Sequence, residues 1–296
     1  KFINDKSKFI FEVRKAISIA KNGRPGPVWI DIPLEFQWSD IKFKKSKKIN
    51  NNKIKFKTNK FKKYLKNSKK PLLILGHGLR TSNNGINNIK EFIRIKKIPF
   101  VTTWNSADIF STNHHLNLGI IGMSGQRGAN KAVFSSDLII CLGTHLSIPH
   151  TTTLYENYAP SAKKIIVNID KDQMKNLNVK FDLKIPTDVG EFLKIILNKQ
   201  YKFNNLWKNC KILKKENWYE PKINNFPNSN VIIKDLTEGI KNKKCIIVDG
   251  GGTALYAGFQ SSNINKEDRI ICSSSISSMG TGLAETIGCS KSKKFE

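Results

Sequence analysis

The chain has 296 residues, 39% hydrophobic and 25% charged, which is typical of a globular protein with about two domains. No apolar run approaches the ~18 residues that cross a bilayer, so we expect no membrane partner and a cytoplasmic location. The net charge of +28 suggests nucleic-acid binding, but it comes from 45 scattered lysines and six arginines. Because phosphate and base recognition favours arginine, we expect solvated lysines and no nucleic-acid partner.

The first predicted elements are a helix over 8–21 and a strand over 27–32. Apolar residues recur at helical spacing in the first, and Pro33 closes the second. One helix and one strand are too few for a domain, so we expect residues 1–40 to be the end of a domain that begins further upstream. The Lys/Asn-rich residues 41–58 follow no period, which predicts a linker.

Residues 59–198 are predicted to form a second domain in which strands alternate with helices. This alternation predicts a parallel sheet with helical crossovers, and thus an α/β fold. The predicted strands are 71–75, 100–103, 138–142 and 165–169, and the predicted helices are 86–95 and 127–134.

A connecting arm is predicted over residues 199–227, where aromatic residues lie among Lys and Asn. Residues 228–296 then resume the alternation of strands and helices. The predicted helices are 231–240, 254–260 and 279–287, and the predicted strands are 245–248 and 269–272. The next strand of this α/β unit is expected directly after Glu296.

Three glycine-rich turns follow predicted strands. Residues 249–253 contain three glycines before a helix, and this pattern fits either a phosphate-binding loop or a flexible turn that needs positive φ. Residues 277–282 also lie between a strand and a helix, where Met279 is either core filler or a ligand contact. Residues 76–78 form a third turn, for which an ordinary strand-to-helix connection is the simpler interpretation.

The five cysteines are widely spaced and form no Cys-x-x-Cys pair. Cys141 and Cys245 lie in apolar strands and are predicted to be inert core thiols. No His/Cys ligand spacing, Walker A loop, G-x-S-x-G elbow or H-E-x-x-H motif is present, so we expect no metal site inside the chain.

Taken in order, these motifs resemble the thiamine diphosphate (ThDP) enzymes of the acetolactate synthase type. Residues 23–33 (GRPGPVWIDIP) resemble the end of a pyrimidine-binding domain, and residues 71–170 resemble a central domain, most closely at TTWN (102–105), GQRGAN (125–130) and SDLI (136–139). Residues 228–296, with SMGTGL at 278–283, resemble the start of a diphosphate-binding domain. The resemblance implies an α/β protein with a central Rossmann-like domain between two incomplete ThDP-binding pieces.

The resemblance also implies an activity. A ThDP- and Mg²⁺-dependent enzyme of this type decarboxylates a 2-oxo acid, such as pyruvate, and ligates the resulting enamine to a second carbonyl compound. One route that uses this reaction is branched-chain amino acid biosynthesis. The alternatives are a sister ThDP-dependent 2-oxo-acid decarboxylase or lyase, and a non-catalytic nucleotide-binding α/β module.

Cofactor contacts are implied at the two glycine-rich turns of residues 228–296. Gly251, Gly252 and Thr253 match the loop that touches the diphosphate. Ser277 matches the residue whose carbonyl accepts from the aminopyrimidine, and Met279, beside Gly280, matches the residue that supports the bent cofactor.

The resemblance leaves open whether the protein binds FAD. Residues matching positions that line FAD in flavin-containing members are Gly76, Gly78, Thr103, Met123 and Asp170. Against FAD, residues 145–149 read HLSIP where such members usually carry RFDDR.

Two further parts of the family's site are expected outside this sequence. The proton-relay glutamate is expected before Lys1 and the Mg²⁺ motif after Glu296, so the resemblance implies no catalytic and no metal residue within the chain and an inactive fragment. Because the family's cofactor lies between subunits, a homodimer or homotetramer is also expected.

Overall fold

A computed structural model describes residues 1–40, 58–198, 207, 210–217, 226–273 and 276–291. The chain divides into two compact units, Lys1–Phe56 and Lys57–Glu296. The predicted linker 41–58 lies outside the described residues except for residue 58. The division of the larger unit into domains at 59–198 and 228–296 stays a prediction.

The first unit contains the predicted N-terminal helix, observed as α1 (Phe9–Lys21), and a short helix α2 (Leu34–Gln37). A 3₁₀ turn (Lys6–Lys8) precedes α1. The predicted strand over 27–32 is wrong, because only Asp31 forms a β-bridge, with Phe2. The prolines at 27 and 33 have no N–H to donate, which limits how far a strand can pair here.

The second unit begins with helix α3 and contains eight strands among the described residues. The strands are β1 (Pro71–Leu75), β2 (Phe100–Thr102), β3 (Asn117–Ile120), β4 (Leu138–Leu142), β5 (Lys163–Asn168), β6 (Leu183–Pro186), β7 (Cys245–Val248) and β8 (Arg269–Cys272). The helices are α3 (Thr58–Asn67), α4 (Gly78–Thr81), α5 (Gly85–Lys96), α6 (Arg127–Ser135), α7 (Ile148–Thr151), α8 (Lys171–Lys175), α9 (Val189–Leu197), α10 (Cys210–Lys215), α11 (Ser229–Gly239), α12 (Gly252–Ser261) and α13 (Thr281–Ser290), with 3₁₀ turns at Trp104–Ile109 and Tyr155–Asn157.

The first six of these strands form one parallel sheet in the order β3-β2-β1-β4-β5-β6. The central strands β1 and β4 pair along their full length, from Pro71 beside Leu138 to Leu75 beside Leu142. Both are buried and uniformly apolar, as expected for strands covered on both faces. The parallel α/β sheet predicted from the sequence is therefore confirmed.

Helices cover both faces of this sheet. On one face Leu72 and Ile74 pack with Ala132 and Val133 of α6. Helices α5 and α9 pack against each other, and α9 also contacts β5. Cys141 lies in the core, where burial raises the pKa of its thiol, so the prediction of an inert core thiol is confirmed there. It is wrong for Cys245, which is only half-buried.

Neither edge strand of the sheet was predicted from the sequence. β3 contains Asn117 and Gly119, and β6 contains Lys184 and ends at Pro186. These residues are unfavourable in central strands but tolerated at an edge, where one side of the strand makes no hydrogen bonds to a neighbouring strand. Edge strands therefore lack the apolar pattern that reveals β1 and β4.

The exposed side of β3 is partly covered by the side chain of Asn217, which lies two residues after the end of α10. Its amide nitrogen donates to the carbonyl oxygen of Leu118 (2.6 Å), and its amide oxygen accepts from the N–H of Ala129 (3.1 Å). A methyl group on Gly128 would lie 2.6 Å from this amide oxygen. Glycine at this position therefore allows the Asn217 side chain to approach α6 closely. The side chain thus links β3 to α6.

β7 and β8 form a separate parallel pair. A buried apolar cluster contains Val248, Phe259 and Ile270 from this region. It also contains Ile120 of β3 and Trp104, which lies after β2. The rings of Trp104 and Phe259 stack with centroids 5.3 Å apart. This apolar cluster packs the pair against the larger sheet.

One lysine departs from the prediction of solvated lysines. The side chain of Lys244 is 1% exposed, and its ammonium lies 2.8 Å from the equally buried carboxylate of Asp268. Asp268 also accepts from the N–H of Lys244 (3.2 Å) and of Asn265 (2.7 Å). A buried charge needs such partners, and they fix the start of β7 beside the start of β8.

The core is expected to depend strongly on Phe192 of α9. Its ring is fully buried and meets Phe61 edge to face, with centroids 5.2 Å apart. Phe192→Ala should lower the free energy of unfolding by about 3–5 kcal/mol, measured by urea denaturation. The matched control is Phe134→Ala on α6, whose ring is 57% exposed and should change it by less than about 1 kcal/mol. Equal losses in both variants would contradict this packing.

Candidate cofactor site

Two glycine-rich loops lie together at one edge of the β7–β8 pair. The first loop, residues 249–252, runs from the end of β7 to the first residue of α12. The second loop precedes α13, and residues 276–280 belong to it. Because the two strands are parallel, their carboxyl ends lie at the same edge. This is the edge where open α/β sheets bind ligands.

The carboxylate of Asp249 joins the two loops. It accepts hydrogen bonds from the N–H of Gly250 (2.9 Å) in the first loop, and from the N–H of Gly280 and of Gly282 (both 3.1 Å) at the start of α13. The hydroxyl of Thr281 also donates to it, at 3.4 Å. A single side chain thus fixes the position of α13 relative to the end of β7.

These hydrogen bonds keep Asp249 ionised. The N–H of Gly280, followed by that of Gly250, holds the pKa of the Asp249 carboxyl below its usual value, because both donors favour the charged form. The resulting stabilisation is complete above the pKa of an unfolded aspartate. It is lost as the pH falls through the lower value of the folded state.

Glycines bring the loops into contact. A methyl group on Gly250 would lie 2.5 Å from the carbonyl carbon of Ser277, and one on Gly251 would lie 2.8 Å from Cγ of Met279. Gly252 has φ +58°, in the left-handed region that favours glycine, and open space surrounds its Cα. The first loop is therefore closed against the second at Gly250 and open at Gly252.

The second loop has an unusual backbone and an exposed side chain. Ser277 has φ 51°, which is uncommon for a residue with a Cβ, and Gly280 has φ 82°. The side chain of Met279 is 84% exposed, so the core-filler interpretation of this residue is wrong in this structure. It presents an apolar surface beside Gly251.

The N-terminus of α12 points hydrogen-bond donors toward the same place. Gly251 is the N-cap of this ten-residue helix and has no side chain to cap it. The N–H groups of the first helical turn, which includes Thr253, have no partner inside the helix, and such groups favour a phosphate. All six residues predicted to contact ThDP thus lie in or beside the two loops, and their contacts with the cofactor stay predictions.

The five residues predicted to line FAD lie near the carboxyl edge of the six-stranded sheet. Methyl groups on Gly76 and Gly78 would lie 2.4 Å and 2.7 Å from backbone atoms of Gly143, so both glycines are required for packing of two loops. The Thr103 hydroxyl and Ser106 form a capping box, and the Asp170 carboxylate caps α8.

These contacts give four of the five residues a structural role that requires no ligand. The fifth, Met123, is 53% exposed. FAD therefore stays a prediction from the resemblance.

The sequence reading missed a buried ionic cluster around Asp108. The carboxylate of Asp108 is fully buried and lies 2.5 Å from Nη2 of Arg80 and 2.7 Å from Nε of Arg269. It also accepts from the N–H of Ile270 in β8, at 3.3 Å. No local motif marks these residues, because the partners are distant in sequence.

In the described part of the chain, no three His, Cys, Asp or Glu side chains are grouped to hold a metal ion. None of the helices described there has the length and hydropathy of a membrane span. A cavity of about 220 Å³ lies away from the glycine-rich loops. Its lining includes Thr102, Gln126, Gln260 and Ser262.

Comparison with known proteins agrees with the motif order. Residues 58–196 match the family described as thiamine pyrophosphate enzyme, central domain. Residues 58–196 are therefore similar to the central domain of thiamine pyrophosphate enzymes. The six-stranded parallel sheet lies within this central domain, and the paired glycine-rich loops lie beyond its C-terminal boundary.

Three relatives carry the similarity across most of the chain. It is 31% identical to the probable acetolactate synthase large subunit of Methanococcus aeolicus, over 86% of the chain and 43% of that protein. It is 29% identical to the acetolactate synthase large subunit of Buchnera aphidicola subsp. Schizaphis graminum, and 24% identical to the acetolactate synthase isozyme 2 large subunit of Escherichia coli K12. Each of these two alignments covers 93% of the chain and 50% of the relative. The chain thus spans about half the length of these relatives.

Removal of the Asp249 carboxylate is expected to release the start of α13. In Asp249→Ala the N–H groups of Gly280 and Gly282 lose their acceptor, so their hydrogen exchange should accelerate at least tenfold, measured by mass spectrometry of peptides spanning 276–291. Asp249→Asn should give an intermediate rate because it keeps one carbonyl oxygen. Asp172→Ala is the control, since that exposed carboxylate pairs only with Lys175 among the described contacts. Unchanged exchange in Asp249→Ala would show that another contact holds the helix.

Proposed function

We propose that this chain acts in a ThDP- and Mg²⁺-dependent enzyme of the acetolactate synthase type. The reaction would decarboxylate a 2-oxo acid, with pyruvate the first candidate, and join the remaining carbon unit to a second carbonyl compound. The observation that carries the proposal is the pair of glycine-rich loops that Asp249 joins. The similarity to acetolactate synthase large subunits supports the same choice.

The loops offer two kinds of surface that suit ThDP. The uncapped N-terminus of α12 supplies N–H donors for the diphosphate. The open space at Gly252 leaves room for a bulky ligand group. The exposed thioether of Met279 supplies apolar contact for the ring system. When bound, ThDP supplies the stabilised carbanion that this chemistry requires.

The chain's own residues would then bind and orient the cofactor. Gly251, Gly252 and Thr253 would hold the diphosphate through backbone donors. The carbonyl of Ser277 would accept from the aminopyrimidine, and Met279 would support the ring system through apolar contact. Asp249 would act by holding both loops in register, since its oxygens are already occupied by Gly250, Gly280 and Gly282.

Further features of the proposal come from the family resemblance. Mg²⁺ would bind the diphosphate, because it prefers phosphate and carboxylate oxygens in octahedral geometry. We also propose a homodimer or homotetramer and a cytoplasmic location.

ThDP binding is expected to depend on Gly251. In Gly251→Val, the branched side chain would meet Met279 and fill the space between the loops, so the Kd for ThDP in the presence of Mg²⁺ should rise at least tenfold, or about 1.4 kcal/mol. The measurement is isothermal titration calorimetry of the protein as produced from its own gene. Gly239→Val is the matched control, because a methyl group there meets nothing within 4 Å and α11 lies outside the loops. Absence of ThDP binding by the unmodified protein would overturn the proposal.

The reaction is expected to require ThDP, Mg²⁺ and Met279. With ¹³C-labelled pyruvate, NMR should show loss of CO₂ and a new carbon–carbon bond only when both cofactors are present. Met279→Ala should lower kcat about tenfold, because the cofactor loses its apolar support. Leu236→Ala is the control, since this residue is also an exposed apolar side chain but lies on α11. Binding of ThDP without consumption of pyruvate would point to a different 2-oxo acid, whereas neither binding nor turnover would refute the assignment.

A further inference from the structure

Two cysteines face each other between β7 and α13. Cys245 is the first residue of β7, Cys289 lies in the last turn of α13, and both side chains are half-buried. Their thiols are within hydrogen-bonding range of each other. We propose that Cys245 and Cys289 form a reversible intramolecular disulfide when the protein meets a peroxide.

The register of the strand and helix supports this pairing independently. α13 starts where β7 ends, since Asp249 contacts Gly280, Thr281 and Gly282, and the helix packs along the strand. The two elements therefore run in opposite directions. From Asp249 back to Cys245 is about 13 Å of strand, and from Thr281 on to Cys289 is about 12 Å of helix, so the two cysteines lie at matching heights.

The helix also turns the correct face toward the strand. Thr281, Glu285 and Cys289 are four residues apart and partly buried, whereas Leu283 and Ile287 are exposed on other faces. Residues spaced by four lie on one face of a helix. Cys289 is thus the cysteine of α13 that the fold presents to β7.

The proposed reaction balances with hydrogen peroxide as the oxidant. One thiolate attacks a peroxide oxygen and becomes a sulfenic acid, and the second thiol then attacks its sulfur and expels water. In total two thiols and one peroxide give one disulfide and two waters. A thiol reductant reverses the step by exchange.

The environment of Cys245 sets the pace of this reaction. Burial, followed by the neighbouring Cys289, raises the pKa of the Cys245 thiol to about 11, with Asp108 acting in the same direction and Arg269 opposing it. Because the thiolate is the reactive form, oxidation should accelerate as the pH rises above neutral. Burial also raises the pKa of Cys272 to about 11, and its side chain lies almost fully buried in β8.

The disulfide is tested on the protein produced from its own gene, oxidised with hydrogen peroxide and digested with trypsin without reductant. The expected product is a cross-link between the peptide that starts at Cys245 and the peptide 270–291, lost after reduction. Because 270–291 contains both Cys272 and Cys289, the variants decide the assignment. The cross-link should persist in Cys272→Ser and disappear in Cys245→Ser and Cys289→Ser.

A second measurement detects the bond through stability. Oxidation should raise the thermal midpoint of the unmodified protein and of Cys272→Ser by a few degrees, because the bond restricts the unfolded chain, and should leave Cys289→Ser unchanged. A cross-link that persists in Cys289→Ser, or no cross-link in the unmodified protein, would overturn the proposal. Neither readout depends on ThDP, so the result is independent of the proposed function.

Discussion

The buried carboxylate of Asp108 is the interaction on which the relative placement of the two sheets depends. It follows β2 of the large sheet, yet it contacts Arg269 and the N–H of Ile270 in β8 while also pairing with Arg80 after β1. A carboxylate removed from water needs such partners, and loss of one partner of a buried pair commonly costs 3–5 kcal/mol. The same bonds that satisfy this charge therefore set where β8 lies, and with it the second glycine-rich loop.

Directed hydrogen bonds continue from this cluster toward the loops. β8 leads into the second loop, β7 leads into the first, and Asp249 joins them. The resulting surface is made mainly of backbone N–H groups and one exposed thioether. Such a surface recognises a cofactor by shape and by phosphate oxygens, and it leaves the reactive chemistry to the cofactor.

The amino-acid sequence was sufficient to predict elements whose pattern is local. β4 and β7 have the predicted bounds because each is a continuous apolar run, and the loop residues 249–253 stood out by their glycines. β3 and β6 escaped prediction because edge strands tolerate Gly, Lys and Pro. The strand predicted at 27–32 is apolar in sequence, but a strand is defined by its partner, which the local pattern does not reveal.

Side-chain roles that depend on distant partners were beyond the same reasoning. A glycine at position 76 or 78 is compatible with the close approach of either a ligand or another loop. Only the position of Gly143 in the fold shows that a loop approaches both glycines. The charge of Lys244 suggested solvent, whereas Asp268 holds it in the interior. Asp108 and Arg269 are separated by most of the chain, so their pairing follows from topology alone.

The contact made by Asn217 has a consequence for whether a foreign strand can add to the large sheet at β3. An open sheet edge exposes a row of carbonyl and N–H groups to which a foreign strand can add. At β3 the carbonyl of Leu118 is already occupied by the amide of Asn217, which imitates one residue of a further strand. A polar side chain thus ends the sheet at this edge and leaves less of the backbone available for self-association.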